Sequence, residues 1–356
     1  MSIKKLNARI KTVSNSINIK IAGIDEFKGM FVQGINLSPQ ILNRMKKSTI
    51  ITSTGASTRI EGSAMTDREV EKLLNNIQVQ KLKDRDSQEV AGYAELMKII
   101  FESYEDIVFS ENTILNLHNI LLKYSDKDSH HKGRYKTSSN KVVARDGDGN
   151  ESIVFNPTEP FLTPIEIKEL VEWTIANING KEYHPLLVIA NFVLEFLLIH
   201  PFKDGNGRLS RALTNLLLLH KGYKYVMYES HEKLIEETKI QYYLALRKSQ
   251  ERIKAEDNDI TPWIEYFFEI LYRQAENVKK IMDSKPVENM LSSNQEKTLK
   301  LFDRFEEITT MVVVKELRIG RPTAKQILGR LVELKFAEKS GKSRGTKYRK
   351  IFKEEK

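Results

Sequence analysis

The chain has 356 residues, 40% of them hydrophobic and 29% charged, which is enough apolar length for packed cores in two or three domains of ordinary size. It contains no cysteine, so disulfides, thiolate metal sites and cysteine nucleophiles are excluded. Its 57 Lys and Arg exceed its 48 Asp and Glu by nine, and 17 of those cations face only 9 of the anions between Leu291 and Lys356, so the basic character belongs to the C-terminal segment.

The opening residues are basic but lack the apolar run of a signal peptide. The longest apolar stretch, Leu186 to Ile199, is too short to span a bilayer and carries Asn191 and Glu195. A cytoplasmic protein without a membrane partner is the expectation.

Taken in chain order, most of the sequence predicts helix. Ser38-Pro39 pairs an N-cap with a proline at the first helical position and opens an apolar-periodic stretch through Ile51. Thr66 and Glu69 form a capping box ahead of Val70, Leu73, Leu74 and Ile77. Further helices are expected over 87–105, 110–124, 163–178, His184 to His200, 208–221, 231–253 and Pro262 to about Asp283. Between Arg134 and Asn156 the pattern changes. Val142-Val143, the polar turn at 145–150 and Ile153-Val154-Phe155 predict a small β-hairpin. A polar linker is expected from Ser284 to Asn294. The expected divisions are a helical N-terminal region (1–85), a core (86–285) and a C-terminal domain (291–356).

Chemistry concentrates in the twelve residues from His200 to Arg211, HPFKDGNGRLSR. Pro201 ends an apolar helix, a tight Asp204-Gly-Asn-Gly207 loop follows, and a new helix begins near Arg208. Glycines baring backbone N–H groups at a helix N-terminus make an anion nest. Arg208 and Arg211 add like charges to an already positive helix end, an arrangement that a phosphate chain relieves. Asp204 is a hard oxygen ligand suited to Mg²⁺ bridging phosphates, and His200 has the pKa range to accept a hydroxyl proton. Taken singly, a Gly-Asn-Gly run is a turn and a histidine at a helix end is a cap; together they point to a phosphate site. The spacing is not that of a Walker A loop.

This stretch resembles the signature of the Fic family, H-x-F-x-[DE]-G-N-G-R-x-x-R, with every specified position present. The resemblance extends over roughly 40–280, including Gly133-Arg-Tyr, Phe155-Asn-Pro, Trp173 and His184-Pro185. It implies a mainly α core with a β-hairpin flap, and transfer of AMP from ATP to a Ser, Thr or Tyr hydroxyl of a target protein. His200 is then the general base and Asp204 the Mg²⁺ ligand. Gly205, Asn206 and Gly207 form the anion hole, Arg208 binds phosphates and Arg211 holds the γ-phosphate. The backbone around Lys141, Val142 and Val143 takes the target segment by strand addition. Tyr242 matches a nucleoside contact of the family, whereas Gln250 stands where the family has Asn.

Ser57-Thr-Arg-Ile-Glu61-Gly62 resembles the family's inhibitory motif, [ST]-x-x-x-E-[GN]. A bidentate pair between Glu61 and Arg211 takes that guanidinium away from the γ-phosphate, with Ser57 steadying the inhibitory helix one turn earlier. A misplaced α-phosphate then loses in-line geometry.

Beyond the linker, one amphipathic helix (294–304), an apolar element (312–317), a helix from Gly320 to about Leu334 and a basic hairpin resemble a winged helix-turn-helix. Arg321, Thr323, Lys325 and Arg330 then lie on a recognition helix, and Lys342, Arg344 and Lys347 in or beside the wing. Duplex DNA is the partner this layout suits, with a protein-interaction or dimer module as its rival. The sequence therefore leads to an autoinhibited protein adenylyltransferase using ATP and Mg²⁺, with a homodimer within the family's habits. Two alternatives stay open: a DNA-binding regulator whose core senses nucleotide, and an enzyme that removes AMP.

Overall fold

The computed structural model describes residues 3–33, 39–76, 82, 84–140, 142–145, 151–283, 292–334, 336–341 and 346–351. They form a mainly α protein that divides into two compact units, Met1–Lys280 and Ile281–Lys356.

In the first unit, α1 (Ile3–Ile10) and α2 (Asn15–Gln33) precede α3 (Pro39–Ile60), α4 (Asp67–Asn76) and α5 (Arg85–Ser103). Next come α6 (Glu111–Leu121), a hairpin of β1 (Val142–Arg145) and β2 (Glu151–Phe155), α7 (Thr163–Ile178), α8 (Pro185–Ile199) and α9 (Asn206–His220). A 3₁₀ turn at Lys224–Met227 leads to α10 (His231–Glu237), α11 (Lys239–Lys254) and α12 (Thr261–Asp283).

At the centre is α8, apolar on every face apart from Asn191 and Glu195 and buried at every position from Leu186 to Ile199. Packed on it are α7 and α9, and α5 packs on α9. Gly92 lets α5 approach α6: a Cβ there would lie 2.0 Å from the Leu121 carbonyl oxygen. The capping box forms as expected, with Glu69 accepting from the Thr66 N–H at 2.8 Å. Ser38 lies outside the described residues.

Two features depart from the sequence reading. Helices α1 and α2 cover a stretch for which none was predicted. Burial of Leu6 and Ile10, and of Ile17, Ile21, Ile24, Phe27 and Phe31 at helical spacing, accounts for them. The single helix expected over 231–253 is two, because Thr238 leaves helical geometry (φ −117°, ψ 32°) and its hydroxyl donates back to the Leu234 carbonyl at 2.7 Å.

The second unit packs α13 (Ser293–Leu301), α14 (Thr310–Leu317) and α15 (Arg321–Glu333) around Leu299, Val313, Leu328 and Leu331. An antiparallel hairpin of β3 (Ala337–Ser340) and β4 (Lys347–Lys350) follows, and Ile308 pairs with Tyr348 beside it. Lys342 and Arg344 lie outside the described residues. Among the described residues no helix is long and apolar enough to cross a membrane.

Candidate functional site

The site is built where α8 ends and α9 begins. His200 caps α8 in the left-handed region (φ 50°), unusual for a residue with a Cβ. This conformation is held from one side by the segment leading into the hairpin. The Lys136 N–H donates to the Pro201 carbonyl at 2.9 Å and its ammonium to the Ile199 carbonyl at 2.9 Å. The Asn140 amide donates to the carbonyls of Phe202 (2.7 Å) and His200 (3.3 Å). Burial, then the Lys136 ammonium, pushes the His200 pKa down to about 4, so its imidazole is neutral at pH 7 and able to accept a proton.

The loop after His200 closes on itself. Asn206 accepts from the Phe202 N–H (2.9 Å) and donates to the Phe202 carbonyl (2.7 Å), so its side chain is spent inside the loop. Only its backbone N–H is left for an anion. Gly205 takes φ 82° as the N-cap of α9. His118 braces the loop from α6. Its ring stacks on Phe202 at 3.7 Å, its Nδ1 accepts from the Gly133 N–H (2.9 Å), and its Nε2 therefore donates to the Asp204 carbonyl (3.0 Å). Burial holds the His118 pKa down at about 4.

Asp204 presents its carboxylate at the loop's edge. Burial would raise its pKa, but Arg208, the Gly205 N–H and Arg85 hold it below the usual carboxylate range. Arg208 is 1% exposed and is gripped by two carboxylates, Glu89 at 3.0 Å and Asp204 at 3.0 Å. It stands as a strut beneath the loop.

Arg211 meets the C-terminal end of α3. Its Nε donates to the Ser57 hydroxyl (2.9 Å), and its Nη2 donates to the Ser57 carbonyl (3.0 Å) and to Glu61 Oε1 (2.8 Å). The pair with Glu61 is therefore not the two-pronged fork expected from sequence: Ser57 takes the rest of that guanidinium edge. Burial opposes the charge on Arg211, and the Glu61 carboxylate overrides it and keeps the group cationic. Glu61 also fills the space over Gly207, where a Cβ would lie 2.3 Å from Oε1. Gly62, at φ 108°, ends the chain's helical course just behind it.

The other expected residues are distributed around this centre. Tyr242 is buried against Trp263 and lines the same small cavity as Arg211. Gln250 lies eight residues further along α11, about 12 Å at 1.5 Å per residue. The hairpin is antiparallel, with Val143 opposite Ile153 and an irregularity between Val142 and Val143. Lys141 lies outside the described residues, and Val142 and Val143 are described by backbone alone.

Sequence reasoning missed His118, Lys136, Asn140, Arg85 and Glu89. None stands in a motif, and each is brought to the loop from a distant segment.

Asp204 is a single carboxylate, and no group of three potential metal ligands occurs among the described residues. That donor set fits Mg²⁺, which keeps its waters and takes phosphate oxygens, and does not fit a metal caged by protein alone. The space over Gly207, with a carboxylate in it at the N-terminus of α9, fits an anion.

The sequence model of the Fic/DOC family matches residues 108–218. Protein adenylyltransferase fic-1 of Caenorhabditis elegans is 26% identical over 229 residues, 63% of this chain and 40% of that protein. A probable protein adenylyltransferase of Aquifex aeolicus is 31% identical over 116 residues, 32% of this chain and 35% of that one. The chain thus spans well under half the length of these curated relatives. Among solved structures, a Fic family protein from Desulfovibrio desulfuricans G20 superposes with a TM-score of 0.61 over 97% of this chain and 98% of its own, at 22% identity. Fic-1 from C. elegans superposes with a TM-score of 0.56 over 75% of this chain and 72% of that one, at 20% identity.

Proposed function

We propose that this chain is a protein adenylyltransferase of the Fic/DOC kind, whose sequence model matches residues 108–218, that moves AMP from ATP to a hydroxyl of a protein and is restrained by its own Glu61. The observation that carries the reading is the Glu61 carboxylate seated on Arg211 and over Gly207, an anion already lodged in a place made for one.

In the productive state Glu61 withdraws, and the backbone N–H groups of Asn206 and Gly207 receive phosphate oxygens, with Gly205 shaping the turn and Arg211 on the terminal phosphate. Arg208 acts from beneath, keeping Asp204 aligned and adding positive charge. Asp204 would hold a Mg²⁺ ion, which would supply positive charge to the phosphates. Neutral His200 takes the proton of the target hydroxyl, whose oxygen bonds to the α-phosphorus while the bond to the β-phosphate oxygen breaks. Pyrophosphate carries away the electron pair. Tyr242 backs Arg211, Gln250 serves the nucleoside side, and the β1 edge at Val142 and Val143, which follow Lys141 in sequence, receives the target backbone.

Labelling the Glu61→Gly variant with ATP carrying its label at the α- or the γ-phosphate tests the reaction. Protein-bound label from α-labelled ATP alone is expected. Label from γ-labelled ATP would mean phosphate transfer and reject the proposal.

The C-terminal unit suggests a second property, since Arg321 and Lys325 are exposed on the first turns of α15. By contrast Arg330 pairs with Glu333 and Lys347 with Glu307. A winged helix using Arg321, Thr323 and Lys325 on duplex DNA is consistent with this. Binding that weakens steeply from low to moderate salt supports it, and no binding at low salt ends it.

A further inference from the structure

We infer that Arg85 and Glu89, outside the His200–Arg211 segment, set the divalent-cation site at Asp204. Glu89, acting through Arg208, aims the carboxylate, and Arg85 keeps the cation's place on Oδ2. The inference rests on the assignment of Asp204 as the Mg²⁺ ligand.

The four side chains close a ring of alternating charge. Arg85 Nε meets Glu89 Oε1 at 2.5 Å, Glu89 Oε2 meets Arg208 Nη1 at 3.0 Å, Arg208 Nη2 meets Asp204 Oδ1 at 3.0 Å, and Asp204 Oδ2 meets Arg85 Nη2 at 3.4 Å. The two halves of the ring differ in burial. The side chains of Arg208 and Glu89 are 2% and 8% exposed, whereas those of Asp204 and Arg85 are 29% and 61% exposed.

Opening the inner half strands a charge away from water, so that half stays closed. Opening the outer half only returns an exposed guanidinium to solvent, which costs little. The two oxygens of Asp204 are unequal for the same reason. Oδ1 accepts from the Gly205 N–H at 2.6 Å and from Arg208, while Oδ2 has the long contact to Arg85. Oδ2 is therefore the oxygen a divalent cation takes, and it takes it from Arg85. Glu89 keeps hold of the displaced arginine one turn away on α5.

The roles have opposite electrostatic signs. Removing Arg85 deletes a competing cation. Neutralising Glu89 leaves Arg208 uncompensated beneath Asp204, which repels a divalent ion. The Arg85 effect does not follow from a merely structural role, since either variant as a simple packing defect would weaken binding.

Mn²⁺ binding reads this directly. Free Mn²⁺ is titrated by its paramagnetic resonance signal against the full chain with α,β-methylene ATP. Arg85→Ala is expected to tighten binding about 3–5-fold, and Glu89→Gln to weaken it about tenfold. Lys203→Ala, removing an exposed cation next to Asp204 but outside the ring, should shift it less than about twofold. Arg85→Ala binding no tighter than wild type, or a Lys203→Ala effect equal to that of Arg85→Ala, overturns the inference. Since Arg85 is exposed, its variant remains informative if Glu89→Gln does not fold. Asp204→Ala binding as tightly as wild type would instead reject the metal assignment beneath it.

Discussion

Glu61 Oε1 lies 2.8 Å from Arg211 Nη2, joining two helices whose residues are 150 positions apart in sequence. One carboxylate thereby covers the arginine and the glycine loop together. The end of α3 that delivers it is fastened to α10. Arg59 forks onto Glu236 at 2.5 and 3.0 Å and donates to the Met65 carbonyl at 2.8 Å, and the Ser53 hydroxyl donates to the buried Glu232 at 2.7 Å.

Loosening that fastening should release part of the inhibition. The Arg59–Glu236 fork is partly exposed and worth about 1 kcal/mol, or roughly fivefold in the population of the withdrawn state. Glu236→Gln is expected to self-label several-fold faster than wild type and slower than Glu61→Gly in initial-rate assays. A rate equal to wild type would mean that α10 does not hold α3 in place.

The left-handed turn at His200 should matter for turnover more than for binding. Asn140 secures that turn through the Phe202 and His200 carbonyls. In a Glu61→Gly background, Asn140→Ala is expected to lower kcat about tenfold through misplacement of the base, with KM for ATP changed less than about twofold. A raised KM with unchanged kcat would assign Asn140 to nucleotide binding.

Acid should destabilise the fold well above carboxylate pKa values. His118 and His200 each drop from 6.5 to about 4 on folding. The unfolded chain therefore binds more protons between those values. Stability is complete above pH 6.5 and is lost as the pH falls toward 4. Lowering the pH from 7 to 5 is expected to cost about 2 kcal/mol per histidine in urea unfolding. Equal stability at the two pH values would contradict the buried neutral state of both rings.

The sequence was most legible where chemistry is contiguous. His200 to Arg211 forms one loop and one helix start, so its residue types meet without help from the rest of the fold. Asn206 shows the limit of that reading, because its amide turns inward to Phe202 and leaves only backbone for an anion. Arg85 falls just before the helix expected at 87–105 and Glu89 in its first turn, and only the packing of α5 on α9 turns them toward Arg208. Helix α2 was hidden because Ile17, Ile19 and Ile21 alternate as a strand would. In the fold Ile17 and Ile21 are buried and Ile19 faces solvent.

The unpredicted α1 also makes a stability claim. Arg9 pairs with Glu195 of α8 where both are nearly buried, and Asn191 donates to the Leu6 carbonyl at 2.9 Å. Arg9→Met alone is expected to cost about 3–5 kcal/mol by stranding Glu195, and the Arg9→Met/Glu195→Leu double variant markedly less. Additive losses in chemical denaturation would deny the coupling.

The central claim is tested most directly by one labelling experiment with α-labelled ATP and Mg²⁺, run on wild type, Glu61→Gly and Glu61→Gly/His200→Ala. Strong self-labelling by Glu61→Gly alone is the predicted result, with wild type held down by Glu61 and the double variant silent for want of a base. Equal labelling of wild type and Glu61→Gly would contradict the restraint by Glu61, and undiminished labelling of the double variant would remove His200 from the reaction.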